Sequence, residues 1–111
     1  MICEFGSVAV VPFPFVDMSV TRRRPALVLS KAAFNDANGQ TLLAMITTAR
    51  RSAWPSDIPI SDAATAGLVA ASIVRWKIFT LPNDLIVRTI GRLAPKDSRA
   101  VRAALGDVFP R

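Results

Sequence analysis

Arg22-Arg23-Arg24-Pro25-Ala26-Leu27-Val28-Leu29-Ser30 carries three consecutive guanidiniums into an apolar run of strand length. A continuous apolar stretch of this size, bounded by polar and turn residues, reads as a buried strand. Pro25 is tolerated at the head of such a strand because its missing N–H falls at the end of the ladder. The arginines then stand at the mouth of a rigid element. Planar guanidiniums fixed there can pair with two phosphate oxygens at once, so the pattern points to an anionic backbone.

Outward from this stretch, further short β-type runs follow one another. Ser7 to Phe13 is rich in valine and is halted by Pro12 and Pro14, and Thr41 to Thr48 is a second continuous apolar run. Asp57 to Ile60 is a short strand made edge-like by Pro59; Ser72 to Leu81 and Leu85 to Leu93 complete the set. Residues 35–39, Asn-Asp-Ala-Asn-Gly, read as a turn between the second and third strands. Near the C-terminus the period changes: Val101, Ala104, Leu105 and Val108 recur at i, i+3, i+4 and i+7. Pro95 fits the first helical position, and Gly106 weakens the last turn. Closely spaced strands followed by one amphipathic helix predict a mainly β fold. It is a small curled sheet or barrel with the C-terminal helix packed on it, in one domain spanning residues 1–111.

Composition narrows the chemistry. The chain carries 14 Lys and Arg against 8 Asp and Glu, a formal charge of +6, which suits nucleic acid or an acidic protein as partner. Histidine is absent and Cys3 is the only cysteine, so a disulfide framework, a structural zinc site and a Ser–His or Cys–His triad are excluded within one chain. Cys3 has no neighbouring base and reads as a small apolar residue. Acid–base work falls to Asp, Glu, Arg, Lys or a hydroxyl. No segment approaches the ~20 apolar residues that a membrane-spanning helix requires, and the N-terminus lacks the pattern of a signal peptide, so a cytoplasmic protein is expected.

Three constellations carry candidate chemistry. Arg22, Arg23 and Arg24 end a long loop that includes Asp17. Thr47 and Thr48 close a buried strand and are followed by Arg50 and Arg51. If the second and third strands are neighbours, hydroxyls and guanidiniums gather around one cleft. Guanidinium can stabilise the charge that builds on non-bridging oxygens during phosphodiester cleavage, and a hydroxyl can orient the scissile phosphate. In residues 72–77, alternation puts Arg75 and Lys77 on one face of a strand and Val74 and Trp76 on the other. Trp54, close after Arg50 and Arg51, is the better loop candidate for stacking on an unpaired base.

Taken in order, several segments resemble the MazF/PemK family of type II toxin–antitoxin toxins. They are Val8 to Phe15, Arg23 to Ser30, Ile46-Thr47, Asp57 to Ile60 with Gly67-Leu68, Ser72 to Arg75, Lys77 to Leu81 and Ile90 to Leu93. The resemblance implies an SH3-like curled β-barrel of the MazF/PemK/CcdB type, usually a homodimer. It implies an endoribonuclease that needs no metal or other cofactor, cuts single-stranded RNA at short motifs by 2′-hydroxyl attack, and is restrained by a cognate antitoxin. The family's catalytic arginine maps onto Arg24 and its strand-end threonine onto Thr47, with Thr48 as the register alternative. Arg22, Arg23, Thr48, Arg50, Arg51, Arg75 and Lys77 are then expected to hold RNA. Two departures stand out: the common Gly-Asp is Gly6-Ser7 here, and Lys77 occupies a position where some members carry an aspartate. The alternatives are a non-enzymatic toxin of the same fold acting by protein contact, as gyrase poisons do through a C-terminus like Val108 to Arg111, or a decayed relative that only binds RNA.

Overall fold

The computed structural model describes residues 1–12, 22–48 and 53–110. The arginines Arg50 and Arg51 and the loop aspartate Asp17 lie outside the described residues. Among those described, six strands form one antiparallel sheet: β1 (Ser7–Pro12), β2 (Arg23–Val28), β3 (Gln40–Thr48), β4 (Ile58–Pro59), β5 (Ser72–Pro82) and β6 (Arg88–Arg92). Their order across the sheet is β4-β5-β3-β2-β1-β6, so the proline-bearing β4 is an edge strand as its sequence predicts. Helices α1 (Ala32–Asn38) and α2 (Pro95–Val108) complete the described elements, with a 3₁₀ turn at Asn83–Leu85.

Both faces of the sheet are buried, which is why its central strands read as unbroken apolar runs. One face holds Ala9, Val11, Ala26, Val28, Leu43, Phe79 and Leu81, closed over by Cys3 and Ile86. Burial pushes the Cys3 thiol up, away from the reactive thiolate. The other face holds Val8, Leu27, Ala44, Ile46, Val74 and Trp76, and against it pack Ile60, Ala66, Leu93 and the α2 residues Val101, Ala104 and Leu105. Alternation along each strand assigns residues to the two sides. Between Ala44 and Met45 the pairing with β5 jumps from Ile78 to Arg75, so Trp76 and Lys77 are extra on β5. Because the bulge adds two residues, the alternation carries through it unchanged. Trp76 stays with Val74 on the α2 side, where its indole Nε1 is buried with no hydrogen-bond acceptor among the described residues.

The sheet curls until the segment after β4 meets β6, the opposite edge. Arg92 donates its N–H to Thr65 O at 3.2 Å, while Leu93 N–H, donating to Gly6 O at 2.9 Å, extends the β1–β6 pairing. The backbones approach so closely that a Cβ on Gly91 would lie 2.4 Å from Ala66 C, and one on Gly67 2.1 Å from Ile90 O. Gly67 also has φ +75°, a conformation that side-chain-bearing residues rarely adopt. Asp97, in the first turn of α2, fixes the same segment from the helix side. Its carboxylate accepts from Ser61 N–H (3.0 Å), Ser61 Oγ–H (2.7 Å) and Asp62 N–H (3.0 Å). Burial pushes the Asp97 carboxyl upward, but these donors outweigh it and hold the group below its ordinary value.

One element departs from the sequence expectation. Residues 35–39 are not simply a turn: a helix begins at Ala32, and Gly39 at φ 65° is its left-handed C-terminal stop, donating its N–H to Asn35 O at 3.0 Å. Asn35 is fully buried, and its amide donates to Cys3 O at 3.0 Å. Asn83 accepts from Thr41 Oγ–H at 2.7 Å and donates to Asn35 O at 2.7 Å, tying α1, β3 and the 3₁₀ turn together. α2 begins at Pro95, as the sequence predicts, and runs through Gly106 to Val108. Among the described residues, no helix is long and apolar enough to cross a membrane.

Candidate active site

β2 and β3 pair only from Ala26↔Met45 to Val28↔Leu43, whereas β3 goes on pairing with β5 as far as Thr48↔Ser72. The two strands therefore part at one end of the sheet. Pro25 lies just beyond the last β3 pair. Continuing the register two residues outward sets Arg24 across this opening from Thr47.

Arg24 pairs with Val11 on β1, which places it on the Val11 side of the sheet, away from α2. It is half-buried, and its Nε is buried. Thr47 pairs with Ile73 and shares the parity of Leu43 and Met45, so it belongs to the same face. Arg75 pairs with Met45, one same-face step from Ile73, and Lys77 follows it by alternation. Arg24, Thr47, Arg75 and Lys77 thus share one face of the sheet, with Arg24 and Thr47 at the end where β2 and β3 part. Thr48 falls on the other face, paired with Ser72 and exposed. Arg23 is not a loop residue: it opens β2 opposite Pro12 and, exposed, points away from Arg24's face by alternation. Arg22 is exposed just outside the strand.

The sequence reading missed one member of this group. Asp57 directly precedes β4, and the β4–β5 register Ile58↔Val74, extended by one residue, brings it opposite Arg75. Arg75 Nε donates to Asp57 Oδ1 at 3.1 Å and Nη2 to Oδ2 at 2.9 Å, with the two side chains 11% and 12% exposed. This two-pronged hydrogen bonding holds the Asp57 carboxyl below its ordinary value despite burial, and it raises Arg75 in return. Asp57 Oδ2 also accepts the Trp54 N–H at 2.9 Å, while Asp57 N–H donates to Trp54 O at 3.0 Å. The Arg75 guanidinium lies over the Trp54 ring, 5.3 Å from its centroid. Residues 54–57, Trp-Pro-Ser-Asp, carry the signal of such a turn, with proline at its second position.

Arginine can stabilise an anionic transition state here and a threonine hydroxyl can orient a phosphate. Asp57, ionised and engaged by Arg75, is a weak base. Among the described residues no three His, Cys, Asp or Glu side chains gather as metal ligands. A pocket of about 210 Å³ bounded by Phe5, Leu29, Lys31, Arg102 and Leu105 lies elsewhere, beside α2, where Arg102 covers the Phe5 ring at 4.8 Å.

Residues 4–109 match the family model of the PemK-like, MazF-like toxin of type II toxin–antitoxin systems. No curated protein matches the sequence. Among solved structures, the chain is similar to MazF in the MazE–MazF complex of Deinococcus radiodurans, with TM-score 0.76, 22% identity, and 97% of this chain and 96% of that one covered. An endoribonuclease in complex with its cognate antitoxin, from a mycobacterial species, superposes with TM-score 0.74 at 18% identity, covering 99% and 97%. The Mycobacterium tuberculosis toxin MazF-mt6 gives TM-score 0.72 at 24% identity, covering 93% and 95%. At these identities the structural likeness establishes the curled sheet with its C-terminal helix.

Proposed function

Because the chain belongs to the PemK-like, MazF-like toxins of type II toxin–antitoxin systems, we propose that it is an endoribonuclease that cuts single-stranded RNA without a metal ion. The observation that carries this reading is the placement of Arg24, Thr47, Arg75 and Lys77 on the sheet face opposite α2. In the reaction, a ribose 2′-oxygen attacks the adjacent phosphorus and the 5′-oxygen leaves. The products are a 2′,3′-cyclic phosphate and a 5′-hydroxyl; the proton lost from the 2′-oxygen is balanced by one gained at the leaving oxygen. Arg24 stabilises the charge on the non-bridging oxygens, where a fixed donor acts most strongly. Thr47, across the opening, orients the phosphate through its hydroxyl. Arg24 acts through its charge and its fixed donors, and not as the base. Arg22, Arg23, Arg50, Arg51 and Lys77 supply phosphate contacts along the strand of RNA.

A cognate antitoxin covering this face is the partner that the family membership supports, and the basic charge of the chain favours an acidic segment in it. The protein works as a homodimer in the cytoplasm. The reading is tested by incubating the purified, antitoxin-free protein with mixed-sequence RNA in EDTA and mapping the fragment ends. Fragments with 5′-hydroxyl ends at a recurring short motif are the expected result. A folded protein that leaves all RNAs whole under these conditions would overturn it. Sedimentation over a concentration series tests the dimer.

A further inference from the structure

Trp54, Asp57 and Arg75 form a closed unit at the edge of the candidate site. The Asp57 carboxylate binds the backbone of Trp54 and the guanidinium of Arg75, and that guanidinium lies over the Trp54 ring. The ring is held on one side by a cation and at its backbone by a carboxylate, yet Trp54 remains 41% exposed. The exposed part of the indole is therefore a pre-ordered aromatic surface beside the candidate site. Arg75 stands one same-face step from the Ile73–Thr47 pair, so the platform adjoins the position where a scissile phosphate would lie.

We propose that Trp54 is a nucleobase-stacking platform and that Asp57 is the positioning residue that holds it, the two together forming a base subsite next to the cleavage position. This rests on the reading of the face as an RNA site. An unpaired base presents a flat π surface to the exposed part of the indole, and a fixed ring loses little freedom on stacking. Asp57 neutralises Arg75, so this subsite grips a base more than a phosphate. Its contribution to binding is correspondingly insensitive to salt. The neighbouring arginines supply the salt-dependent part.

The test measures binding of short single-stranded oligonucleotides with 2′-deoxyribose throughout, which lack the attacking hydroxyl and stay whole, and of abasic versions of equal length and charge. Trp54→Ala is expected to weaken binding of the base-bearing oligonucleotides about 5- to 150-fold. Its salt slope should stay unchanged, and its affinity for the abasic versions should equal that of the original protein. Trp54→Phe should restore most of the loss. Asp57→Asn should lose part of the affinity, weaken the quenching of Trp54 emission by the oligonucleotide, and steepen the salt slope by up to about 0.7 as the Arg75 charge is released. Trp76, being buried, contributes a constant background to that emission. Equal binding of base-bearing oligonucleotides by Trp54→Ala and the original protein would overturn the proposal, whatever becomes of Asp57→Asn. Cleavage of ordinary RNA is scored separately. A Trp54→Ala protein that binds and cuts normally removes the subsite alone, whereas an original protein that never cuts RNA removes the nuclease reading.

Discussion

Arg24 and Arg23 are adjacent and chemically identical, yet only one of them faces the opening between β2 and β3. The same is true of Thr47 and Thr48. Neighbours on a strand point to opposite sides, so each pair contains one candidate and its own control. Arg24→Ala is expected to lower the cleavage rate by at least about 10²- to 10³-fold, the usual effect of losing a fixed transition-state donor. Its thermal melt should remain cooperative. Thr47→Ala should also lower the rate, whereas Thr48→Ala should leave it as it was; equal losses in both threonine variants would refute the assignment of faces. Arg24 was legible in the sequence because Pro25 ties it to a strand of unmistakable pattern. Asp57 was not, because its pairing with Arg75 depends on a β4–β5 register set by a two-residue strand. Nothing local in either segment announces the other.

Among the elements, the strands and α2 were readable because their periods are strong, while α1 was hidden by its own stop signal. The asparagines and glycine that end it resemble a loop, and its only fully buried residue is the polar Asn35, so no apolar period marks it. Gly67-Leu68 and Ile90 to Leu93 were recognisable as sequence pattern, but their meaning is the backbone contact between them. Gly91→Ala is expected to destabilise the fold by about 1–3 kcal/mol, as overpacking does. In a domain of this size the melting temperature should then fall by about 5–15 °C. An unchanged melt would mean that the closure relaxes without cost. Asp97 binds the same segment to α2. Its folded-state value is depressed, so its contribution is complete above the unfolded carboxylate value of about 3.9 and is lost as pH falls through the folded value. A melting curve followed from pH 7 downward should be level and then decline in acid. Asp97→Asn should be about 1–3 kcal/mol less stable near neutrality, with part of the acid decline removed.

Considered as one body, the molecule divides its sheet between two tasks: α2 and the segment after β4 cover one face, and the candidate catalytic groups occupy an end of the other. Arg22→Ala and Arg23→Ala should each lower the salt slope of single-stranded RNA binding by about 0.7 for every phosphate no longer neutralised. A slope unmoved by both together would place them outside the RNA path. The curl that creates these two faces has a consequence for how the protein is made. β1 lies between β2 and β6, and the segment after β4 needs Gly91 to rest against. A growing chain released before β6 has emerged therefore leaves one edge of β1 open and the curl without its closure, even though Arg24, Thr47 and Arg75 have all been synthesised. Non-local pairing of this kind is slow and comes late. A ribosome that stalls between the codons for Lys77 and Arg88 would release a product containing every candidate catalytic side chain but not the strand that closes their frame.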